Sequence, residues 1–359
     1  MSMHNGRVIL STEHMRLVEA EITSYFENSI AQATQIDASY QQLWEVMYGL
    51  IRSGGKRLRP RLTLLAYEAF GGKDTPAIVP VAAAQELLHF SLLVHDDIID
   101  RDFVRYGSPN ISGRYKTAYG HFIKDEAHAT HYANAAALLG GDLMLAGAHE
   151  LVGGSGLEGA QKSKALSLLS RSIFEVAGGE LLDTESSFVP YSSGDALKIA
   201  RYKSAGYSFV GPLVTGASLA GASTKQLAAL RVYAVSLGVA YQLVDDILGV
   251  FGNEDETGKS TTGDIVEGKR TFMAEYALSH MNDAQTESFF KAFGNEHASW
   301  TDLQAVRDLL VESGARQEAE RLIARYSEEA MQAIPLFDVS KQDSEAFTVL
   351  IRQVTERSK

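Results

Sequence analysis

Apolar residues recur at helical spacing through most of the chain. Near the N-terminus they stand three or four positions apart, at Met15, Val18, Ile22 and Phe26, which places them on one face of an α-helix. The same spacing predicts two helices within residues 12–52 and further helices over residues 62–70, 80–100, 132–151, 163–184, 227–250, 271–281, 300–313 and 316–333, with another beginning at residue 196. Because alternation typical of strands is scarce, the pattern predicts an all-α fold.

Polar stretches separate these helices. Residues 101–131 are rich in Gly, Tyr and His, and we predict a connecting segment there, with short helices inside it. Residues 192–195 are typical of a turn followed by a helix N-cap, and residues 253–269 of a Gly-, Asp- and Lys-rich loop. We predict one domain over residues 1–359, although this length also allows two.

Composition and charge narrow the possible functions. Of 359 residues, 45% are hydrophobic and 22% are charged, as in soluble globular proteins. The net charge of −12 argues against a general nucleic-acid-binding protein. The absence of cysteine excludes disulfides, Fe–S ligation and thiol catalysis. We see no signal peptide in residues 1–10, and the apolar runs fall short of the ~20 residues of a membrane span, so we expect a cytoplasmic protein without a transmembrane segment.

Two of the apolar segments end in paired carboxylates. One runs from His89 to Asp100 and carries Asp96, Asp97 and Asp100, and the other ends in Asp245-Asp246. In a helix, Asp96 and Asp100 are one turn apart and point the same way. Carboxylate oxygens arranged like this suit Mg²⁺ that also holds substrate phosphates. A solvated acidic helix end is the alternative for a single such motif, but the motif occurs twice.

Basic residues form one cluster and a scattered set. The cluster is Gly54-Gly55-Lys56-Arg57-Leu58-Arg59-Pro60, in which glycines allow close backbone approach and the cations suit a diphosphate. A charged helix start is the alternative interpretation. The scattered cations are Arg105, Lys203, Lys259, Lys269 and Arg270. Gly258-Lys259-Ser260 is not a P-loop, because no glycine stands five positions before Gly258.

Together these motifs resemble the trans-isoprenyl diphosphate synthase, or polyprenyl synthetase, family, and most of all bacterial geranylgeranyl diphosphate synthases. The matching pieces span roughly residues 50–275 and are Gly54–Pro60, Asp96–Asp100, Lys203-Ser204, Gln242–Asp246 and Gly258–Thr271. The resemblance implies antiparallel helices around a deep central cavity, usually in a homodimer. It also implies a Mg²⁺-dependent prenyltransferase, with up to three ions per site, that condenses isopentenyl diphosphate with an allylic diphosphate.

The resemblance implies a role for each matching residue. Isopentenyl diphosphate would be bound by Lys56, Arg59 and His89, and the allylic diphosphate by Arg105, Lys203 and Lys259. The metal ligands would be Asp96, Asp100 and Asp245, supported by Asp97, Asp246 and Asp264. Gln242 would orient groups near the carbocation and, with Lys203 and the metal ligands, make up the catalytic set. Without the resemblance, His89 would be interpreted as a core histidine.

Three positions depart from the family pattern. Tyr106 replaces the second of two arginines after the first motif, Glu180 replaces a glutamine in Gly-Gln-x-x-Asp, and the second motif ends in Gly249 instead of aspartate. Separately, a metal site at His121, His128 and His131 is a weak alternative to a solvated loop.

The resemblance also bears on product length. In the family, bulky aromatic residues four and five positions before the first aspartate close the product tunnel at C15. Here those positions are Leu92 and Ser91, so we expect a longer product, geranylgeranyl diphosphate (C20), with a longer polyprenyl diphosphate as the alternative. A terpene cyclase is less consistent, because Glu254 is one position out of register with the cyclase motif. A non-catalytic subunit would be expected to lose the aspartates that this chain keeps.

Overall fold

The structure, a computed structural model, describes residues 2–4, 7–9, 12–105, 107–186, 188, 195–252 and 261–356. Helices dominate these residues, as predicted. The first half contains strands β1 (Ser2–His4) and β2 (Arg7–Ile9), helices α1 (Thr12–Thr34), α2 (Ala38–Arg52), α3 (Leu58–Ala69) and α4 (Thr75–Ile99), strands β3 (Val104–Arg105) and β4 (Ser108–Pro109), and helices α5 (Ile111–Tyr119), α6 (Glu126–Gly154) and α7 (Gly159–Ser186). A 3₁₀ turn, Gly120–Phe122, follows α5.

The second half is also helical. It contains α8 (Asp195–Ile199), a π-helix (Ala200–Val210), α9 (Gly211–Leu219), α10 (Thr224–Phe251), α11 (Gly263–Val266), α12 (Phe272–His280), α13 (Asp283–Phe289), α14 (Trp300–Glu312), α15 (Ala315–Ala333), a 3₁₀ turn (Ile334–Phe337) and α16 (Lys341–Thr355). Together with the first half, these elements confirm the predicted all-α class.

The chain groups into two compact units. The first comprises residues 1–2, 9–169 and 215–221, and the second residues 3–8, 170–214 and 222–359. The prediction of one domain over residues 1–359 stays a prediction.

In the first unit, α4 packs along α6. Helix α4 begins at Thr75, five residues before the predicted start at Pro80. Asp74 caps this end, since its side chain accepts a hydrogen bond from the backbone N–H of Ala77 at 3.2 Å. Pro80 is tolerated inside the helix close to its start, where its missing N–H removes only one backbone bond. Ala82, Ala83 and Ala84 are fully buried. Because consecutive helical residues point about 100° apart, neighbouring parts of the protein enclose this stretch of α4 on more than one side.

The described residues of the connecting segment, 101–105 and 107–131, form short elements and are partly buried. Strands β3 and β4 pair antiparallel, with Arg105 opposite Ser108. Asn110 then caps α5, because its side chain accepts a hydrogen bond from the N–H of Gly113 at 2.8 Å and donates one to the carbonyl of Asp102 at 2.8 Å. Short helical elements lie in this segment, and α6 already begins at Glu126, six residues before the predicted helix start at Tyr132. The polar connector near residues 101–131 stays a prediction.

The histidines of this segment show no metal arrangement. The Nδ1 atom of His128 lies 2.9 Å from Asp125, and both side chains are exposed. Across the described part of the chain, no group of three or more His, Asp or Glu side chains is placed to hold a metal ion.

In the second unit, α10 packs against the π-helix and α15. Its start is a capping box, in which Ser223 and Gln226 satisfy each other's backbone N–H groups. The sequence pattern predicted the helix after residue 195 but not its π-helical stretch, because apolar spacing does not distinguish the two helix types at this length.

Within the described residues, the sequence analysis missed three helices, α11, α13 and α16, and it predicted a loop where the short α11 lies. The signal for α16 was present, since Phe347, Leu350, Ile351 and Val354 recur at helical spacing and are buried. Tyr233 on α10 donates a hydrogen bond to the carbonyl of Phe347 at 2.8 Å. The rings of Tyr233, Phe337 and Phe347 pack edge-on with centroids 5.0–5.5 Å apart, so α16 is part of the core.

The overall composition of the helices is more apolar than the uninterrupted apolar runs indicate, and the absence of a transmembrane segment stays a prediction. Helices α4, α6 and α10 are each long and apolar enough to cross a membrane by length and composition. In these helices 72%, 50% and 61% of the most apolar window is buried inside the protein, so core packing accounts for much of that apolar surface.

We predict that Phe347→Ala destabilises the protein by about 3–5 kcal/mol, because it leaves a cavity in the aromatic cluster. Chemical denaturation measures this change. Glu345→Ala, an exposed substitution on the same helix, should stay within about 0.5 kcal/mol of wild type. Equal stability of the two variants would mean that α16 does not contribute to the core.

Candidate active site

The C-terminal end of α4 carries the first carboxylate cluster. Asp96 is partly buried and Asp97 is buried. The β3–β4 hairpin brings Arg105 onto both of them, so that its guanidinium donates to Asp96 at 2.9 Å and to Asp97 at 2.6 Å. Asp100 caps the helix end, is exposed, and donates its backbone N–H to the carbonyl of Asp96 at 2.8 Å.

Burial dominates the ionisation of Asp97. It raises the pKa of this carboxyl to about 6; Arg105 lowers the pKa, whereas the neighbouring Asp96 and Asp102 raise it further. One guanidinium thus offsets two adjacent negative charges. The contact of Arg105 with an allylic diphosphate stays a prediction, and here Arg105 bridges the two carboxylates.

In the basic loop between α2 and α3, one cation is buried and another is exposed. Arg57 has a left-handed backbone, with φ of 49°, and is only 8% exposed. Its guanidinium donates to Glu19 at 2.8 Å, to Glu86 at 3.1 Å and to the carbonyl of Ile51 at 2.8 Å. Arg57 therefore ties the loop to α1, α2 and α4, whereas Lys56 is exposed.

Arg59 lies close enough to His89 for its charge to affect the pKa of the imidazole. Burial lowers the pKa of His89 well below its ordinary value, and the charges of Arg59, Arg105 and Arg57 lower it further. The imidazole is therefore neutral at pH 7 and can donate one hydrogen bond to an anion. The structure thus brings together three of the predicted diphosphate-binding residues, Arg59, His89 and Arg105.

The second carboxylate cluster lies on α10 and the elements around it. Gln242 donates to Asp246 at 2.8 Å and accepts a hydrogen bond from Ser204 at 2.6 Å. Burial raises the pKa of Asp246 to about 7, while Lys269 and the bond from Gln242 lower it. These two bonds fix the orientation of the Gln242 amide, one turn from Asp245 and Asp246.

Lys269 is the cation of this cluster, and the sequence analysis named it without giving it a role. Its ammonium lies 3.7 Å from Asp264. Burial lowers the pKa of Lys269, but the carboxylates of Asp264, Asp246, Asp183 and Asp245 outweigh burial and raise it. Lys269 therefore offsets several negative charges at once.

Gly249, a departure from the family pattern, has a physical reason. A Cβ atom at this position would overlap a carboxylate oxygen of Asp264. The glycine lets Asp264 approach α10, so a carboxylate reaches this region from a neighbouring element even though the motif lacks its last aspartate.

Lys203 lies on the π-helix beside α7. Its ammonium is 2.6 Å from Asp183 and 3.1 Å and 3.0 Å from the two oxygens of Glu180. A Cβ at Gly179 would lie 2.6 Å from the carbonyl carbon of Tyr202 and would overlap the backbone nitrogen of Lys203. Gly179 therefore allows the close approach of the two helices that forms this ion pair. Sequence analysis noted the Gly179–Asp183 motif but not its pairing with Lys203.

The predicted chain-length residues lie further up α4. Ser91 is 1% exposed, and its hydroxyl has no hydrogen-bond partner within the described parts of the chain. Leu92 is half-buried. Lys259 and Tyr106 lie outside the described residues.

The donor sets fit a hard divalent cation. Each cluster offers carboxylate oxygens, the ligands that Mg²⁺ prefers, and Mg²⁺ commonly takes one or two protein carboxylates and completes its octahedron with phosphate oxygens and water. Over the described residues no group of three or more His, Asp or Glu side chains could hold a metal ion by itself, so a bound ion would need further ligands from substrate or water.

Known proteins are similar to this chain over most of its length. The polyprenyl synthetase family model matches residues 40–310. A geranylgeranyl diphosphate synthase of Sulfolobus acidocaldarius is 32% identical over 80% of this chain and 84% of its own. A geranylfarnesyl diphosphate synthase of Aeropyrum pernix is 31% identical over 86% and 92%. The crystal structure of a geranylgeranyl pyrophosphate synthase from Corynebacterium glutamicum, complexed with isoprenyl diphosphate and magnesium, has a TM-score of 0.90 and 27% identity over 97% of this chain and 100% of that chain.

We predict that Gly179→Ala destabilises the protein by about 1–3 kcal/mol, because the added methyl group forces α7 away from the π-helix. The adjacent Gly178 is a matched control, since a Cβ there meets nothing within 4 Å. Gly178→Ala should stabilise the helix by up to about 1 kcal/mol. Thermal unfolding compares the two, and a Gly179→Ala protein as stable as Gly178→Ala would contradict the close approach.

Proposed function

Because the chain belongs to the polyprenyl synthetase family, it is a trans-prenyltransferase, and we propose that it condenses isopentenyl diphosphate with an allylic diphosphate to geranylgeranyl diphosphate. The observation that carries the proposal is the pair of carboxylate clusters, each with a cation built against it. Arg105 offsets Asp96 and Asp97, and Lys269 offsets the cluster of Asp245 and Asp246.

We assign the diphosphates of the two substrates to different residues. Lys56, Arg59 and His89 bind isopentenyl diphosphate, and Arg105, Lys203 and Lys259 bind the allylic diphosphate. Asp96, Asp100 and Asp245 are the proposed ligands of Mg²⁺, up to three ions, which when bound neutralise the diphosphate and make it a better leaving group. Without substrate the His89 imidazole is neutral, because burial and the nearby arginines lower its pKa, and it can donate one hydrogen bond to the diphosphate.

The proposed reaction breaks the carbon–oxygen bond of the allylic diphosphate, and the bonding electrons leave with the diphosphate. The double bond of isopentenyl diphosphate attacks the resulting allylic cation, and a proton then passes to the released diphosphate. The oriented amide of Gln242, held by Ser204 and Asp246, presents a fixed dipole to the cation. Apolar walls keep out water, which would convert the cation to an alcohol.

The proposed product length rests on Ser91 and Leu92. Ser91, five residues before Asp96, is small and buried, so this position lacks the aromatic ring that closes the tunnel at C15 in the family. A longer product, C25 or more, is the second candidate, since the chain is also 31% identical to the geranylfarnesyl diphosphate synthase.

We further propose a homodimer in the cytoplasm. Exposed apolar residues on α6 support the dimer. Leu138 and Leu139 are neighbours and are 51% and 58% exposed, and contiguous exposed apolar residues are typical of a surface that another protein covers. Analytical ultracentrifugation measures the mass; a monomer at micromolar concentration would refute the dimer.

Direct assay tests the activity. With Mg²⁺, isopentenyl diphosphate and dimethylallyl, geranyl or farnesyl diphosphate, mass spectrometry of the products should show mainly the C20 diphosphate. Asp96→Ala and Asp245→Ala should each lower kcat/KM by several orders of magnitude with the helical circular dichroism unchanged. Asp308→Ala, an exposed aspartate on α14, is the control and should keep wild-type turnover. Near-normal activity in either cluster variant would refute the metal-ligand assignment.

Substitution at Ser91 tests the product length. We predict that Ser91→Phe shifts the product toward C15, because the ring fills the space beside the growing chain. Ser91→Ala removes the hydroxyl without adding bulk and should leave the product distribution as in wild type. If Ser91→Phe forms the wild-type product at the wild-type ratio, the chain does not pass this residue.

A further inference from the structure

We propose that Glu180 competes with the allylic diphosphate for Lys203 and so limits how tightly the enzyme holds a diphosphate. The inference deepens the proposed function and rests on it. Glu180 would act through Lys203 and is therefore a positioning residue, without contact with the reacting carbons.

The geometry places three carboxylate oxygens around one ammonium group. Both oxygens of Glu180 lie 3.0–3.1 Å from Nζ of Lys203, and one oxygen of Asp183 lies 2.6 Å from it. An ammonium group has three N–H donors, so these oxygens match its full donor capacity. An incoming diphosphate has to displace at least one of them.

The charges of this group do not cancel. Lys203 carries one positive charge, and Glu180 and Asp183 carry two negative charges. The side chains are only 23%, 19% and 20% exposed, so water screens the excess charge incompletely. A glutamine at position 180 would have the same shape, and Lys203 and Asp183 would then form a neutral pair.

The backbone holds this arrangement in place. Gly179 lets α7 approach the π-helix at Tyr202 and Lys203, and Glu180 and Asp183 follow on the same helix at a spacing of three residues. The backbones of Glu180 and Lys203 are therefore held close together, so that only rotation of the Glu180 side chain can withdraw its carboxylate. The packing thus keeps Glu180 within reach of Lys203 as a competitor for the diphosphate.

We predict that Glu180→Gln lowers the KM for the allylic diphosphate by about three- to tenfold, the range expected for removing one partly exposed charge from an ion pair. The KM for isopentenyl diphosphate should stay within twofold. In the presence of Mg²⁺, inorganic diphosphate should bind the variant about three- to tenfold more tightly by isothermal titration calorimetry.

The control is Glu185→Gln, which removes an exposed charge from the same helix and should change neither constant. Glu180→Ala, a second variant, should bind inorganic diphosphate more tightly than wild type, as Glu180→Gln does, since both substitutions remove the charge. Thermal unfolding checks that each variant is folded.

Two results would overturn the proposal. Weaker binding of inorganic diphosphate by Glu180→Gln would show that Glu180 holds Lys203 in its productive position, and unchanged binding would show that the two do not compete. Because calorimetry reports binding without turnover, it separates these results from failure of the proposed function, which would appear as wild-type protein that forms no prenyl product.

Discussion

Repulsion between neighbouring carboxylates is the constraint on which this structure depends. A site that attracts divalent cations needs several carboxylates close together, and without a counter-charge they would destabilise the folded chain. In each unit, cations lie next to the carboxylates and reduce this repulsion: Arg105 in the first unit, and Lys203 and Lys269 in the second. The raised pKa values of Asp97 and Asp246, to about 6 and about 7, show that burial still weighs against full ionisation. The clusters are therefore poised to gain from additional positive charge.

Glycines decide which side chains reach these clusters. Gly179 brings α7 to the π-helix and so brings Glu180 and Asp183 to Lys203, and Gly249 admits Asp264 beside α10. In both places the absence of a side chain determines where a carboxylate lies. Substitution of either glycine would displace a charge without altering any charged residue.

The helices and the identity of the two clusters could be predicted from the sequence, because apolar periodicity and runs of aspartate are local signals. Helix α16 was missed although its period is clear, and the π-helix could not be recognised, since its signature lies in backbone bonds. The pairings across elements were also out of reach. Nothing in the order of residues shows that Arg57 turns inward to Glu19 and Glu86, or that Lys203 meets Glu180. Contacts between residues far apart in sequence depend on packing that one sequence does not display.

The π-helix has a consequence for the comparison of related sequences. Its backbone bonds skip one residue more per turn than those of an α-helix, so Ala200–Val210 accommodates extra chain within the same length. A relative with an uninterrupted α-helix here would have fewer residues in the same length. After this point, each missing residue would rotate the side chains at aligned positions by about 100° around the helix axis, compared with this chain. An alignment without a gap would then equate Lys203 with a residue on another face. The correct correspondence has to be established from superposed backbones, and a lysine one position away in such a relative can be the true counterpart.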